Sequence, residues 1–185
     1  MSSGESLIPP AAPSLDEPLE MLSACHERVR GQLRTLERLA QWLPQHGVDE
    51  QAQRAARAVM RYFDLAAVNH HLDEEKDLLP AMLAAVGSGE RPQLQELTGR
   101  ILSDHVELAE QWSALRAVLA GISEGRDVVL DESSVLRFAA AYETHIRLEE
   151  EKLLPWAGRL LGSDAVLQIS HAMTARRRVP TAGTD

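Results

Sequence analysis

The chain has little of several features that would place it in other classes of protein. Among its 185 residues is a single cysteine, Cys25, which cannot form an internal disulfide, so nothing points to an oxidising compartment. Acidic residues outnumber basic ones by 28 to 19, and the net charge of −9 argues against non-specific binding to nucleic acid or anionic lipid. The sequence predicts a cytoplasmic protein without nucleic-acid or membrane partners.

Long apolar stretches are also missing. No segment approaches the roughly 18 uninterrupted apolar residues of a membrane span. The N-terminal residues show no basic region followed by an apolar run, so we expect no secretory signal there. Runs of alternating β-branched residues are absent, whereas the strong helix formers Ala, Leu, Glu, Arg and Gln are abundant. The composition therefore predicts an all-α protein of one domain.

Apolar residues recur at three- and four-residue spacings in four segments that short, Gly- and Pro-containing connections separate. Because short connections join antiparallel neighbours, we predict an up-down-up-down antiparallel four-helix bundle over residues 16–161. Residues 1–15 are predicted to be a flexible leader. The segment 162–185 is predicted to hold a short fifth helix, at about 163–173, followed by a disordered tail.

Proline and aspartate residues predict where individual helices begin and end. Asp16 and Asp49 precede helical patterns and are candidate N-caps. Pro44 is predicted to end the first helix. Pro80 and Pro155 are predicted to interrupt the second and fourth helices, because proline removes a backbone donor and clashes with the preceding turn.

The main positive feature of the sequence is a repeat of histidines and carboxylates. The stretch NHHLDEEKDLLP at 69–80 matches HIRLEEEKLLP at 145–155, so that each half of the chain carries one H-x-x-x-E motif. On the predicted helix before each motif, one further histidine lies within a stripe of apolar residues. The matched pairs are His26 with His105, His70 with His145, Glu74 with Glu149, and Pro80 with Pro155.

Helical geometry gives this repeat a chemical meaning. Residues four apart lie one turn apart on nearly the same face, so His70 and Glu74 point towards a common spot, as do His145 and Glu149. A lone histidine or an isolated H-x-x-x-E is more often an ordinary structural feature. The repeated set would instead bury imidazoles with two carboxylates, which is costly unless cations neutralise them. We therefore predict a metal site; a polar core without metal is the alternative.

The ordered pattern H, HxxxE, H, HxxxE resembles the hemerythrin-like, HHE cation-binding family over about residues 19–161. The resemblance implies a four-helix bundle that holds a non-haem di-iron centre, with an oxo or hydroxo bridge between two iron ions. It also implies roles for six residues. The terminal nitrogen ligands would be His26, His70, His105 and His145, and the bridging carboxylates would be Glu74 and Glu149.

The sequence departs from the oxygen-carrying hemerythrins at two positions. They have a further histidine four residues after the one on helix three, where this chain has Ala109. They also have a bridging aspartate five residues after the helix-four histidine, where this chain has Glu150, while Glu149 matches the HxxxE subgroup. His71 is a possible fifth nitrogen ligand, although we expect it to lie beside the site.

Spacing argues against other metal motifs. Ferritin-like di-iron proteins use E-x-x-H, and H-E-x-x-H marks zinc proteases; neither pattern occurs around the motif histidines. Nitrogen ligands with bridging carboxylates suit iron, and ligand type alone also permits manganese or zinc. The positions three residues before the four histidines hold Ser23, Ala67, Leu102 and Tyr142, none of which is acidic.

The leading functional prediction is a di-iron protein that binds and reacts with O2, hydrogen peroxide or NO. Because the extra helix-three ligand is missing, we expect a protective, catalase-like or scavenging role rather than oxygen transport. The alternative is an iron- or oxygen-responsive sensor that acts through a partner protein without turnover. The reductant or partner is not evident from the sequence.

Several other residues near the motifs have weaker predicted roles. Tyr142 is a candidate hydrogen-bond donor to a bound peroxide or oxide. Phe63 and Phe138 are predicted to pack in the core or to wall the pocket, and Cys25 to point away from the metal. The arginines near the C-terminus are predicted to form a solvated basic end.

Overall fold

The computed structural model describes residues 17–178, so the predicted leader and the Asp16 cap lie outside the described residues. Over this range the chain forms helices and contains no β-strand, which confirms the all-α class. None of these helices is long and apolar enough to span a bilayer. The helices are α1 (Pro18–His46), α2 (50–85), α3 (Arg91–Ser123), α4 (132–160) and α5 (Ser163–Arg178).

Helices α1 to α4 pack as a bundle around a shared core. Helix α1 contacts both α2 and α4, and α3 also contacts both of them. The apolar stripes predicted from the sequence form the inner faces; Ile101, Leu108 and Leu119 of α3, for example, are at most 2 % exposed. Burial of these side chains, at about 25 cal/mol per Å² of apolar surface, is the main force that holds the bundle together.

The structure corrects the prediction that Pro80 and Pro155 interrupt their helices. Helix α2 passes through a π-helical turn, Glu74–Leu78, and continues as an α-helix beyond Pro80. Helix α4 does the same through Glu149–Leu153 before Pro155. A wider π turn accommodates the missing N–H and the bulk of the proline ring. Both turns begin at a glutamate of the repeated motif.

A third π turn, Tyr62–Ala66, lies earlier in α2. Its counterpart in α4 is regular α-helix, because Glu132–Leu148 forms one uninterrupted segment. The α-helical segments of α2 are Glu50–Arg61, Ala67–Asp73 and Leu79–Ala85. The second α-helical segment of α4 is Leu154–Leu160. The two halves of the repeat therefore differ in backbone even though their motif spacings are the same.

Helix α1 also extends beyond its predicted end. Pro44 lies within the last turn, where only one backbone hydrogen bond is lost, and the helix continues to His46. Gly47 follows with a φ of 67°, a left-handed conformation that suits glycine at a helix C-terminus. The predicted cap of α2 is confirmed, because the Asp49 carboxylate accepts a hydrogen bond from the Ala52 N–H at 2.7 Å.

Helix α5 is longer than predicted and is part of the packed structure. Within the described residues it runs to Arg178, beyond the predicted end near residue 173, and Met173 is fully buried in the core. The prediction of a solvated basic end is wrong for Arg176 and Arg177, which contact the buried Asp73 of α2. A local run of arginines does not reveal that a carboxylate on another helix lies opposite. Residues 179–185 lie outside the described range.

The core consists of two apolar clusters. One includes Phe63 and Phe138, whose ring centroids lie 5.3 Å apart, together with neighbouring residues of all four bundle helices. The other includes Leu22, Leu78 and Met173, the last of which comes from α5. Along each of α1 to α4 at least one predicted metal ligand lies in sequence between the two clusters. The polar site therefore lies between two apolar layers.

Phe138 provides a test of the packing. Its side chain is fully buried, and Phe138→Ala should lower the free energy of unfolding by about 3–5 kcal/mol through lost contacts and a residual cavity. Leu136, half-exposed on the same helix, is a matched control, and Leu136→Ala should cost less than about 0.5 kcal/mol. Urea unfolding of the metal-free proteins measures both changes. Equal effects would contradict the placement of Phe138 in the core.

Candidate metal centre

The six predicted ligands come together between the four bundle helices, and each is at most 4 % exposed. One histidine comes from α1 and one from α3. Helices α2 and α4 each supply a histidine and a glutamate one turn apart, which is the arrangement that the H-x-x-x-E spacing predicts. The six residues are His26, His70, Glu74, His105, His145 and Glu149.

Within this set the side chains form two overlapping groups of four, each compact enough to hold a metal ion. In each group, one ligand atom per residue lies within 4.8 Å of the others. Both glutamates belong to both groups, so the groups differ only in their histidines. The first contains His26, His70, Glu74 and Glu149, and the second contains His105, His145, Glu74 and Glu149.

Each glutamate directs one carboxylate oxygen towards each group. Two ligands bound about 2.1 Å from one ion at a right angle lie about 3.0 Å apart, close to the observed separations. This is the arrangement expected of carboxylates that bridge two ions. The separations are Glu74 Oε1 to His70 Nε2, 3.4 Å; Glu74 Oε2 to His105 Nε2, 3.3 Å; Glu149 Oε2 to His26 Nε2, 3.1 Å; and Glu149 Oε1 to His145 Nε2, 3.0 Å.

Buried polar atoms in this cluster lack hydrogen-bond partners among the described residues. They include both carboxylate oxygens of Glu74 and of Glu149, and the Nε2 atoms of three of the histidines. A buried polar atom without a partner costs about 1–3 kcal/mol, and more when it is charged. Such a concentration of unpaired buried polar atoms would be strongly destabilising by itself. Cations coordinated at these atoms would remove the penalty, so the residues fit a metal site.

Protonation in the metal-free cluster shows the same need for positive charge. Burial, and next the Glu149 carboxylate, raises the pKa of Glu74 well above its ordinary value. Burial also opposes ionisation of Glu149, but contacts with the surrounding histidines outweigh it and hold that pKa low. For His105 burial lowers the pKa, yet the nearby carboxylates raise it to about 10. Metal binding at these atoms therefore requires the release of protons.

Two further carboxylates orient the lone histidines. The Nδ1 atom of His26 lies 3.1 Å from Glu150 Oε1, and Nδ1 of His105 lies 2.8 Å from Glu75 Oε1. The two pairs are equivalent in the repeat, because each joins a lone histidine to the residue after a glutamate of the repeated motif. A carboxylate that accepts Nδ1–H fixes the ring and leaves Nε2 for a metal. Asp104 lies near His145 Nδ1 at 3.6 Å.

The oriented histidine on α1 has an additional support that the sequence did not suggest. Arg30 donates to both oxygens of Glu150, at 3.1 and 2.9 Å, and to Glu143 at 3.1 Å. Arg30 is the main reason that the pKa of Glu150 is lowered. In the other half of the repeat, the residue four positions after His105 is Ala109, so His105 has no arginine at the position of Arg30. Arg30 lies four residues after His26, and this spacing was the only signal available in the sequence.

His71 lies beside the second group. Its ring stacks on that of His105 with centroids 3.9 Å apart and planes 9° from parallel. One of its nitrogens falls within 4.8 Å of ligand atoms of His105 and His145, and its buried Nε2 has no partner among residues 17–178. Stacked rings cannot both direct a nitrogen in the ring plane at one ion. The observed geometry therefore favours His71 as a neighbour of the site.

Tyr142 and Cys25 lie close to the ligands without joining either group of four. Tyr142 is 4 % exposed, and its ring centroid lies 6.1 Å from that of His71 and 6.5 Å from that of His145. Burial raises its pKa, so the phenol stays protonated. Burial likewise raises the pKa of the Cys25 thiol, which disfavours the thiolate that metals bind.

The orienting carboxylates provide a test of the site. Glu75→Ala and Glu150→Ala should each lower metal affinity by about 10- to 100-fold, because the histidine ring loses its fixed orientation. Glu151, an exposed neighbour in the same π turn as Glu150, is the control, and Glu151→Ala should leave affinity unchanged. Competition with a coloured chelator measures all three. Equal affinities for the three variants and the wild type would contradict the orienting role.

Comparisons with known proteins agree with this geometry. Residues 17–157 match the family model described as the hemerythrin HHE cation binding domain. A protein of Haemophilus influenzae, named "Uncharacterized protein", is 32 % identical over 164 residues, which cover 89 % of this chain and 92 % of that protein. The matched residues include all six clustered side chains, and the buried His and Glu groups can hold metal. The chain belongs to the hemerythrin HHE cation-binding family.

Proposed function

We propose that the centre holds two iron ions joined by an oxo or hydroxo bridge. His26 and His70 would bind one ion, His105 and His145 the other, and Glu74 and Glu149 would bridge them. The observation that carries this proposal is the division of each carboxylate between the two groups, with one oxygen facing each. Imidazole and carboxylate donors suit iron, and manganese or zinc would be the competing occupants.

The proposed arrangement leaves room for a small exogenous ligand. Each ion would receive two nitrogens and two carboxylate oxygens from the protein, fewer donors than an octahedral ion accepts. No further histidine follows His105 by one turn, because that position is Ala109. We infer that the physiological ligand is O2, hydrogen peroxide or NO. A protective role, most favourably the decomposition of two peroxide molecules to O2 and two waters, fits this openness best.

Two bound iron ions, held by the four histidines and two glutamates, would supply the two electrons that such reactions exchange. The surrounding side chains then control access and protons. Phe63 and Phe138 form an apolar wall on one side of the site and limit the entry of water. Tyr142 retains its proton because burial raises its pKa, and its ring centroid lies 6.5 Å from that of His145, so the phenol would be a hydrogen-bond donor to a bound ligand.

The alternative function is an iron- or oxygen-responsive module that acts through a partner protein. Its support is the contact between α5 and the residue next to Glu74, through which occupancy of the site can influence the surface of the protein.

We also infer a cytoplasmic location, for which the low cysteine content is the support. The up-down-up-down order of α1 to α4 is inferred from the short connections between them.

Two ligand substitutions test the metal assignment. His70→Ala and Glu149→Ala should each reduce bound iron well below the wild-type amount, because each removes a donor and Glu149→Ala removes one for both ions. His171, an exposed histidine of α5 outside both groups, is the control, and His171→Ala should leave iron content unchanged. Metal analysis after anaerobic loading with ferrous ion measures this. Unchanged iron in both ligand variants would refute the assignment.

Peroxide distinguishes the two candidate functions. Added hydrogen peroxide should change the near-ultraviolet and visible bands of the iron-loaded protein while an oxygen electrode records evolution of O2. The Glu149→Ala protein, treated alike, corrects for free iron. Two irons per chain without O2 evolution, but with a large metal-dependent increase in stability, would favour the sensor alternative. Failure of the wild-type protein to take up iron would contradict both.

Substitution of His71 tests whether this histidine is a metal ligand. His71→Leu should retain two metal ions, because ring stacking on His105 places this histidine beside the site. His105→Leu, which removes the stacked partner, should lose metal. Titration of the metal-free proteins with Co²⁺, followed by its visible absorption, gives both stoichiometries. Loss of one ion from His71→Leu would instead identify His71 as a ligand.

A further inference from the structure

A buried ion pair joins the C-terminal helix to the metal-binding helix. Asp73 is completely buried, and its carboxylate is held by Arg176 and Arg177 of α5. The Arg177 guanidinium donates to Asp73 at 2.5 and 3.2 Å, and Arg176 donates both to Asp73 and, at 2.7 Å, to Asp77. The two arginines and two aspartates are here called the α5 clamp, and its members other than Asp73 are only partly accessible to solvent.

The clamp is present in only one half of the repeat. In the register that pairs Glu74 with Glu149, Asp73 corresponds to Leu148. Leu148 needs no charged partner, whereas a buried carboxylate without one would cost several kcal/mol. Helix α5, which supplies the partner, begins at Ser163 and so lies outside the residues that match the family model. The arginines of the clamp therefore lie beyond the matched residues, and its aspartates lie within them.

The clamp acts on the backbone that carries a bridging glutamate. Asp73 directly precedes Glu74, and Asp77 lies within the π turn Glu74–Leu78. Successive residues of a helix point about 100° apart, so Asp73 can face α5 while Glu74 faces the bundle interior. Fixing Asp73 and Asp77 from outside therefore fixes the rotation of this turn. The rotation in turn sets where the Glu74 carboxylate lies between the two groups of histidines.

We propose that Arg176 and Arg177 are positioning residues for the metal centre, which act on Glu74 through Asp73 and the π turn. Because binding couplings are reciprocal, metal binding and docking of α5 then stabilise each other by the same factor. The inference rests on the proposed metal centre and adds a second element to it. Loss of metal would weaken docking of α5, and loss of the clamp would weaken metal binding.

Removal of the clamp tests the first direction of coupling. The variant Arg176→Ala with Arg177→Ala should bind Co²⁺ or Fe²⁺ about 10- to 100-fold more weakly than the wild type in competition with a chelator, as expected for groups that orient ligands. Arg178→Ala, which removes an exposed arginine of the same helix, should have wild-type affinity. Wild-type affinity in the double variant would overturn the proposal.

The double variant leaves Asp73 buried without a partner, which destabilises the fold. A variant with apolar residues in place of the clamp therefore separates an effect on ligand position from an effect on folding. Asp73→Leu combined with Arg176→Leu and Arg177→Leu places in α2 the residue that α4 has at the equivalent position. Replacing a buried ion pair by apolar residues is often neutral for stability. This triple variant should fold and still bind metal more weakly, because α5 no longer fixes the turn. Wild-type metal affinity in a folded triple variant would limit the clamp to a structural role.

Hydrogen exchange tests the reverse direction. Amides of residues 163–178 should exchange more slowly in the metal-loaded wild-type protein than in the metal-free protein, and the double variant should lose this difference. Equal exchange in both forms of the wild type would overturn the coupling. The two proposals fail differently: a wild-type protein that takes up no metal refutes both, whereas one that binds two ions independently of the clamp refutes only this inference.

Discussion

The structure depends on two carboxylates, Glu74 and Glu149, buried together at the centre of a helical bundle. Two buried carboxylates repel one another and lose their hydration, so the fold needs positive charge between them. Four imidazoles surround the pair, and the two oxygens of each carboxylate face different pairs of histidines. Other features lie around this arrangement: apolar clusters on two sides, carboxylates beside Nδ1 of the lone histidines, and the α5 clamp behind one π turn.

The clustering of the six predicted ligands could be anticipated from the sequence because the repeat preserves the spacing of chemically unusual residues. His70 with Glu74 and His145 with Glu149 lie four apart on helices, and helical periodicity alone brings each pair to one face. Helix class and the Asp49 cap followed from equally local signals. The π turns did not, because Pro80 suggests a break and nothing nearby indicates that a wider turn absorbs it.

Residues that act across helices were the ones the sequence did not reveal. Arg30 is one charged residue on a helix rich in them, and only the packing of α1 on α4 brings it to Glu150. Asp73 stands in a run of acidic residues that resembles a solvated face, although it is fully buried. Arg177 resembles part of a loose basic end. Each pairing depends on contacts between residues distant in the chain, which periodicity does not encode.

The central claim is that two ions lie between Glu74 and Glu149, each bound by a different pair of histidines. Crystals of the protein loaded anaerobically with ferrous ion, measured on both sides of the iron absorption edge, test this directly. The account predicts two anomalous peaks, one beside His26 and His70 and one beside His105 and His145. A single peak, or peaks away from the two glutamates, would contradict it.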